Sequence, residues 1–146
     1  MAEIVLLFHS YFRWLVLFLF LDSLLFLIVS LKNKNFSKLF KLLHKFTSIA
    51  MSIQFLIGIL LYSISPVVAS ALENMGKAMK DKELRFFSVE HTLTMILALG
   101  LFHASNAKIK KDEIPFENKY KFIVSSYVIL IVFFSIGIPW FRPFLR

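Results

Sequence analysis

EIVLLFHSYFRWLVLFLFLDSLLFLIVSL, from Glu3 to Leu31, is the stretch that decides the fold. A hydrocarbon layer about 30 Å thick requires about 20 consecutive helical residues to cross it, and this apolar run is longer than that. Three more segments qualify, at about His44–Ser65, Phe87–Ala107 and Lys121–Phe141. No internal repeat or linker divides the 146 residues, so we predict one all-α domain, an integral membrane up-down four-helix bundle.

The composition supports a membrane protein and disfavours several other classes. Hydrophobic residues make up 58% of the chain, which includes 18 phenylalanines, and this exceeds what a soluble domain of this size needs. The net charge of +8 comes from lysines in short connections, where they face lipid head groups, so we expect no nucleic-acid partner. The chain has no cysteine, which removes disulfides, thiolate metal sites and a thiol nucleophile.

The charges of the connections predict the orientation. The segments 32–45 and 108–121 each hold five lysines, and the first of them has no acidic residue. Lysine-rich connections stay in the cytoplasm, so the balanced connection 66–90 and both chain termini are predicted outside. Within 66–90, Val68, Leu72, Met75 and Met79 recur at helical spacing, which predicts a short amphipathic helix on the outer surface, acting as a lid over the bundle.

Polar residues within the apolar spans are the candidate site residues, because ionisable groups in hydrocarbon are costly. All four histidines lie within or at the edge of the first three spans. A helix rises about 1.5 Å per residue, so His9 and His91 share an outer level, and His44 and His103 share an inner one. Two facing imidazoles are the axial ligands of a b-type haem. The alternatives are interfacial polar residues, or hydrogen bonds between helices.

All four arginines lie in the half of the bundle that is predicted to face outside. Arg13 lies one turn from His9, and Arg85 and Arg142 lie near the same end. A guanidinium group pairs with carboxylates, so Arg13 is a candidate contact for haem propionates. Glu90 either orients the neighbouring His91 or pairs with an arginine, and the sequence favours neither.

Two further polar residues lie deep in the spans. Asp22 lies at about the depth of His103, where a carboxyl group should be protonated or paired. The two residues could relay protons to a quinone or could lock two helices together. Gln54, one turn before Gly58, is expected to bond between helices.

Three stretches resemble small bacterial four-span membrane proteins labelled cytochrome b-like: Leu7–Trp14 (LFHSYFRW), Gln54–Pro66 (QFLIGILLYSISP) and Val89–Lys108 (VEHTLTMILALGLFHASNAK). The chain also distantly resembles one half of the haem A synthase bundle. This resemblance implies the bacterial inner membrane, ligation of haem by His9 and His91, and His103 as a candidate for a further site. Those relatives have a histidine where this chain has Ser52.

The leading hypothesis is a membrane cytochrome with one haem b, or two, that passes electrons between a quinol pool and a partner. Its metal ligands would be His9 and His91, with His44 and His103 as a second set, and no catalytic residue is assigned. A second hypothesis is a cofactor-free accessory or assembly subunit of a larger membrane complex. Besides the lipid bilayer, the expected partners are a quinone and either such a complex or further copies of the chain in a homo-oligomer. A proton-coupled transporter using Asp22 and His103 is the third, although four spans without repeats are few for a transporter.

Overall fold

The structure, a computed structural model, describes residues 1–140. Four long apolar helices run up and down, which confirms the predicted all-α bundle, and each is long and apolar enough to cross a bilayer. The helices are α1 (Ala2–Asn33), α2 (Lys38–Ile64), a third span (Lys82–Ile109) and α7 (Phe116–Gly137). The third span consists of α5 (Lys82–Arg85), a π-helical turn (Phe86–Glu90) and α6 (His91–Ile109).

The side chains are distributed as in a protein that is solvated by lipid. Large apolar groups face outward, among them Phe8, Phe18 and Leu56, each more than 60% exposed. The buried polar side chains are serines together with Thr47 and His44. Lipid removes the need to bury apolar surface, while the polar groups gain partners inside the bundle. We conclude that the chain is a multi-pass membrane protein.

The helices extend beyond the predicted spans at the connections that carry most of the lysines. The second helix begins at Lys38 rather than near His44, because the Ser37 hydroxyl accepts a hydrogen bond from the Phe40 amide and caps the helix. Hydropathy detects the apolar interior of a span and misses its polar first turns. The predicted end of the fourth span at Phe141, and Arg142, lie outside the described residues.

The connection between α2 and the third span contains two short helices, α3 (Pro66–Glu73) and α4 (Met75–Ala78). The predicted short helix is present as α3, but it ends before Met75 and Met79, which the prediction had included. Asn74 breaks it, and its side chain accepts a hydrogen bond from the Lys77 amide. Val68 and Ala71 are the buried residues of α3, whereas Leu72 is 57% exposed. Helix α3 packs against α2 and against the start of the third span, so it closes one end of the bundle.

We call this end, with α3, α4 and the N-terminus, the capped end. The opposite end, with the connections 34–37 and 110–115, is the lysine end. Packing differs between them. Aromatic side chains fill the centre and the half nearer the lysine end, where Phe20 stacks on Tyr127 with ring centroids 4.9 Å apart. A cavity occupies the half nearer the capped end, and it holds the candidate site.

Many hydroxyl groups in the spans bond to their own helix. Each donates to the carbonyl oxygen four residues earlier, at distances of 2.8 to 3.1 Å, in Ser30, Thr47, Ser105, Ser126 and Ser135. Such a bond satisfies the donor without a second helix. Few polar bonds are left to connect one span with another.

Candidate functional site

The cavity at the capped end has a volume of about 500 Å³. It lies among the first three spans and the end of α7, and α3 contributes Val67 and Val68 to its wall. The lining is mainly apolar, and its principal polar members are His9, Arg13, Gln54 and His91. A concave, mostly apolar space with a few convergent polar groups is typical of a site for a small molecule or cofactor.

Two imidazoles meet in this cavity. The rings of His9, from α1, and His91, from α6, have centroids 6.2 Å apart and planes inclined at 75°. These are the two residues that the sequence placed at one level, and the structure also turns them toward each other. The depth of each residue follows from its position in a span, whereas the shared face depends on packing.

Gly137 orients the His91 ring. Its backbone carbonyl accepts a hydrogen bond from His91 Nδ1 at 2.6 Å, so Nδ1 carries a hydrogen and Nε2 keeps its lone pair. Glycine eases this approach of α7 to α6. A Cβ atom at position 137 would overlap Met95 Cε, the end of a flexible side chain, and would lie 3.1 Å from Thr94 Cγ2, so both side chains would have to shift.

The π-helical turn immediately precedes His91. The backbone amide of His91 donates to the carbonyl of Phe86, five residues earlier, in place of the α-helical bond. One wide turn rotates everything that follows it relative to an uninterrupted α-helix, and such turns are frequent at functional sites. The direction of the His91 side chain therefore depends on this turn.

The His9 ring lies against α2. A Cβ atom on Gly58 would come within 3.2 Å of His9 Cε1, so the glycine leaves room for the ring. One turn earlier on α2, Gln54 Nε2 donates to the backbone carbonyl of His9 at 2.9 Å, which confirms that Gln54 bonds between helices. Within residues 1–140, His9 Nδ1 and Gln54 Oε1 are buried and have no hydrogen-bond partner. Unsatisfied buried polar atoms are rare in native proteins, so two of them beside one cavity require an explanation.

The two charged residues predicted beside this pair differ in position. Arg13 lines the cavity, and its guanidinium carbon lies 5.3 Å from the Trp14 ring centroid. Glu90 forms an ion pair with Arg85, with 2.6 Å between Oε1 and Nε. Of the two alternatives for Glu90, the structure contains the arginine pair, and the Gly137 carbonyl orients His91 instead. Sequence reasoning missed this acceptor because a backbone carbonyl has no signature in residue identity.

His44 lies in the aromatic core, fully buried. Its Nδ1 is 2.9 Å from the Tyr127 hydroxyl, which is 2.6 Å from Ser23 Oγ. Ser23 donates to the Phe20 carbonyl, so its hydroxyl accepts from Tyr127, and Tyr127 in turn accepts from His44. The ring also stacks on Phe102 with centroids 4.3 Å apart.

His103 is exposed on the outside of the bundle and bonds to α2. Ser52 Oγ lies 3.1 Å from His103 Nε2, and Ser48 Oγ lies 3.4 Å from Nδ1. Because Ser52 already donates to the Ser48 carbonyl, it accepts from His103. The structure does not bring His44 and His103 together as a ligand pair: one faces the core and the other bridges two helices. Their common depth was visible in the sequence, and their different faces were not.

Comparison with known proteins gives no further guidance: no protein-family description matches the chain, and no curated protein or solved structure is detectably similar to it. The resemblance to cytochrome b-like proteins therefore remains a hypothesis.

Proposed function

We propose that this protein is a small b-type membrane cytochrome that holds one haem between α1 and the third span, with His9 and His91 as axial ligands. The observation that carries the proposal is the separation of these two rings inside an apolar cavity. Imidazole nitrogens bind first-row metals at about 2 Å, so each ring centroid lies about 3 Å from the metal. Two rings on opposite sides of one iron are then about 6 Å apart. The observed separation is 6.2 Å.

The donor set suits a porphyrin. Among residues 1–140 there is no group of three or more histidine, cysteine, aspartate or glutamate side chains that could hold a metal ion. A haem iron needs only two protein ligands, because the macrocycle supplies the other four nitrogens. The cavity volume of about 500 Å³ lies within the range of roughly 300 to 1,000 Å³ that cofactor sites occupy.

The surrounding residues support the two ligands. The Gly137 carbonyl fixes the tautomer of His91 that leaves Nε2 free for a metal. Arg13 lines the cavity and would pair with a propionate. A bound group would also account for the unsatisfied His9 Nδ1 and Gln54 Oε1, either directly or through an ordered water.

The haem would supply one-electron chemistry, and the bundle would exclude water from it. We infer electron transfer between a membrane quinol and a partner protein as the role. We expect one haem per chain, because His44 and His103 are bonded elsewhere.

The test is an absorption difference spectrum, dithionite-reduced minus oxidised, of protein purified after expression with ample haem. We expect an α-band in the wild type and its loss in both His9→Ala and His91→Ala. His103→Ala is the matched control, since it removes a span histidine outside the cavity, and it should keep the band. A wild type without an α-band, or a band that survives both ligand substitutions, would end the proposal.

A second candidate is a cofactor-free accessory subunit of a larger membrane complex. One observation favours it: a T-shaped ring pair at 6.2 Å is also ordinary aromatic packing, for which centroid distances of about 4.5 to 7 Å are usual. In that role His9 and His91 would simply join two spans. A colourless protein that copurifies in mild detergent with a stoichiometric partner would support this function and exclude the cytochrome.

A further inference from the structure

Asp22 is a carboxyl group in the middle of a span, and residues 1–140 give it no partner. It lies 11 residues before the end of α1 at Asn33, or about 16 Å along the helix from the lysine end. The next residue, Ser23, faces the interior of the bundle and bonds to Tyr127, whereas Asp22 is half-buried on the side of α1 that faces away from the other spans. Within residues 1–140 its side chain makes no hydrogen bond and no ion pair.

A carboxyl group in this position is costly. Charged groups at the centre of a membrane are rare and almost always pair with one another or face a cavity. Asp22 does not line the cavity. His103, expected at a similar depth, is already bonded to two serines on α2. Residues 1–140 therefore provide no partner for Asp22.

Asp22 belongs to a continuous outward-facing stripe on α1. The stripe residues follow one another at alternating intervals of four and three, and except for Asp22 all are exposed apolar side chains: Ile4, Phe8, Tyr11, Leu15, Phe18, Asp22, Leu25 and Val29. This is the heptad spacing along which two parallel helices pack as a left-handed pair. A single polar residue in such a seam fixes the register and the number of helices.

We propose that the α1 stripe is the interface between two copies of this chain, with the two Asp22 carboxyl groups hydrogen-bonded to each other. Copies inserted in the same direction are related by a two-fold axis along the membrane normal. Equivalent residues then lie at the same depth, and the same surface meets itself. With this symmetry the two Asp22 side chains lie at the same depth, so neither chain has to shift along the membrane normal for them to meet.

The chemistry of the group suits a second copy as the occupant. In its neutral form a carboxyl group has one O–H donor and one carbonyl acceptor, so two carboxyl groups at one depth can satisfy each other. The interface uses the face of α1 opposite its core residues Val16, Phe20 and Leu27. The dimer therefore stands or falls independently of haem binding.

The absence of cysteine in the chain allows a direct test by disulfide cross-linking in native membranes. Leu25→Cys places one thiol on the stripe, one turn from Asp22. Val128→Cys is the matched control on α7: Leu25 is 61% exposed and Val128 is 56% exposed. Val128 also follows Tyr127, which bonds to Ser23, so it lies at nearly the same depth as Asp22. We expect Leu25→Cys to give a product of twice 17.0 kDa, at least about fivefold more abundant than that from Val128→Cys.

Substitution of Asp22 in the Leu25→Cys background tests the carboxyl pair itself. Asp22→Leu should reduce cross-linking by about fivefold or more, because leucine offers no hydrogen bond. Asp22→Asn should retain it within about twofold, since an amide also carries both donor and acceptor. Equal cross-linking from Leu25→Cys and Val128→Cys, unchanged cross-linking in Asp22→Leu, loss of cross-linking in Asp22→Asn, or a product of another mass would overturn the proposal. The comparison of the two thiols leaves Asp22 intact, so it stands even if Asp22→Leu fails to fold.

Discussion

A few single residues satisfy the hydrogen-bonding groups inside this bundle, and Tyr127 is the clearest example. Its hydroxyl connects Ser23 of α1 with His44 of α2 from a position on α7, so three spans meet at one oxygen atom. Around it the neighbours are aromatic: Phe20 stacks on the tyrosine ring and Phe102 on His44. In such surroundings a missing hydrogen bond has no replacement from water.

Tyr127→Phe should therefore destabilise the protein, by about 1 to 3 kcal/mol, because it leaves the His44 donor without an acceptor. The measurement is thermal or denaturant unfolding in detergent, followed by circular dichroism. Tyr120→Phe is the control, as the same change on the same helix at a half-buried hydroxyl for which residues 1–140 provide no hydrogen bond. Equal stability of the two variants would show that the Ser23–Tyr127–His44 connection contributes nothing.

The depth of the histidines could be predicted from the sequence, but the direction in which each one faces could not. Counting residues along the spans placed His9 and His91 at one level, because a helix has a constant rise. It could not distinguish His44, which faces the core, from His103, which faces outward. The facing direction depends on how each helix is rotated in the bundle, and uniformly apolar spans carry little information about rotation.

Whole helices are positioned by a few close approaches, of which the contact of α7 with α6 at Gly137 matters most to the site. The absence of a side chain there lets the α7 backbone reach His91. The ends of helices were harder to predict than their existence. Ser37 begins α2 with a side-chain cap, and Asn74 divides the lid helix with another. A single capping residue hardly changes the mean hydropathy of a 20-residue segment. The sequence therefore predicted that the spans exist but misplaced the residues at which they begin and end.

Gly137→Ala should displace the end of the Met95 side chain and press α7 against Thr94, and the small retreat of α7 should lengthen the bond to His91. Overpacking of this kind costs about 1 to 3 kcal/mol, measured as a lower free energy of unfolding. Gly100→Ala is the matched control within a helix: a Cβ atom at position 100 would meet no atom within 4 Å. There alanine should stabilise by up to about 1 kcal/mol, through its higher helix propensity. Similar effects of the two substitutions would contradict the close approach.

At the scale of the molecule, hydropathy and length alone predicted the architecture, since the bilayer tolerates only segments that satisfy their own backbone. Orientation is a separate question, and the predicted answer depends on the lysines of the two connections at the lysine end.

Single cysteines introduced into the cysteine-free chain test that orientation. Lys80→Cys, in the connection that follows α4, should react with a membrane-impermeant maleimide in intact cells. Asn35→Cys and Lys111→Cys, at the lysine end, should react only after the membrane is permeabilised. All three residues are exposed, so reactivity reports the side of the membrane. The reverse labelling pattern would place the lysine end outside.

The serines and threonines that donate to their own helix bear on how the protein is made. A span whose hydroxyl groups already donate to its own backbone can move from the insertion machinery into the bilayer by itself. It need not wait for a later span to supply hydrogen-bond acceptors. Assembly is then left with the bonds that cross between spans, which within residues 1–140 are made by five side chains: Gln54, Tyr62, His91, His103 and Tyr127. Two of these five await the last span to be synthesised, because Tyr127 and the acceptor for His91 both belong to α7. Chains truncated before Phe116 should therefore insert fully yet stay loosely packed.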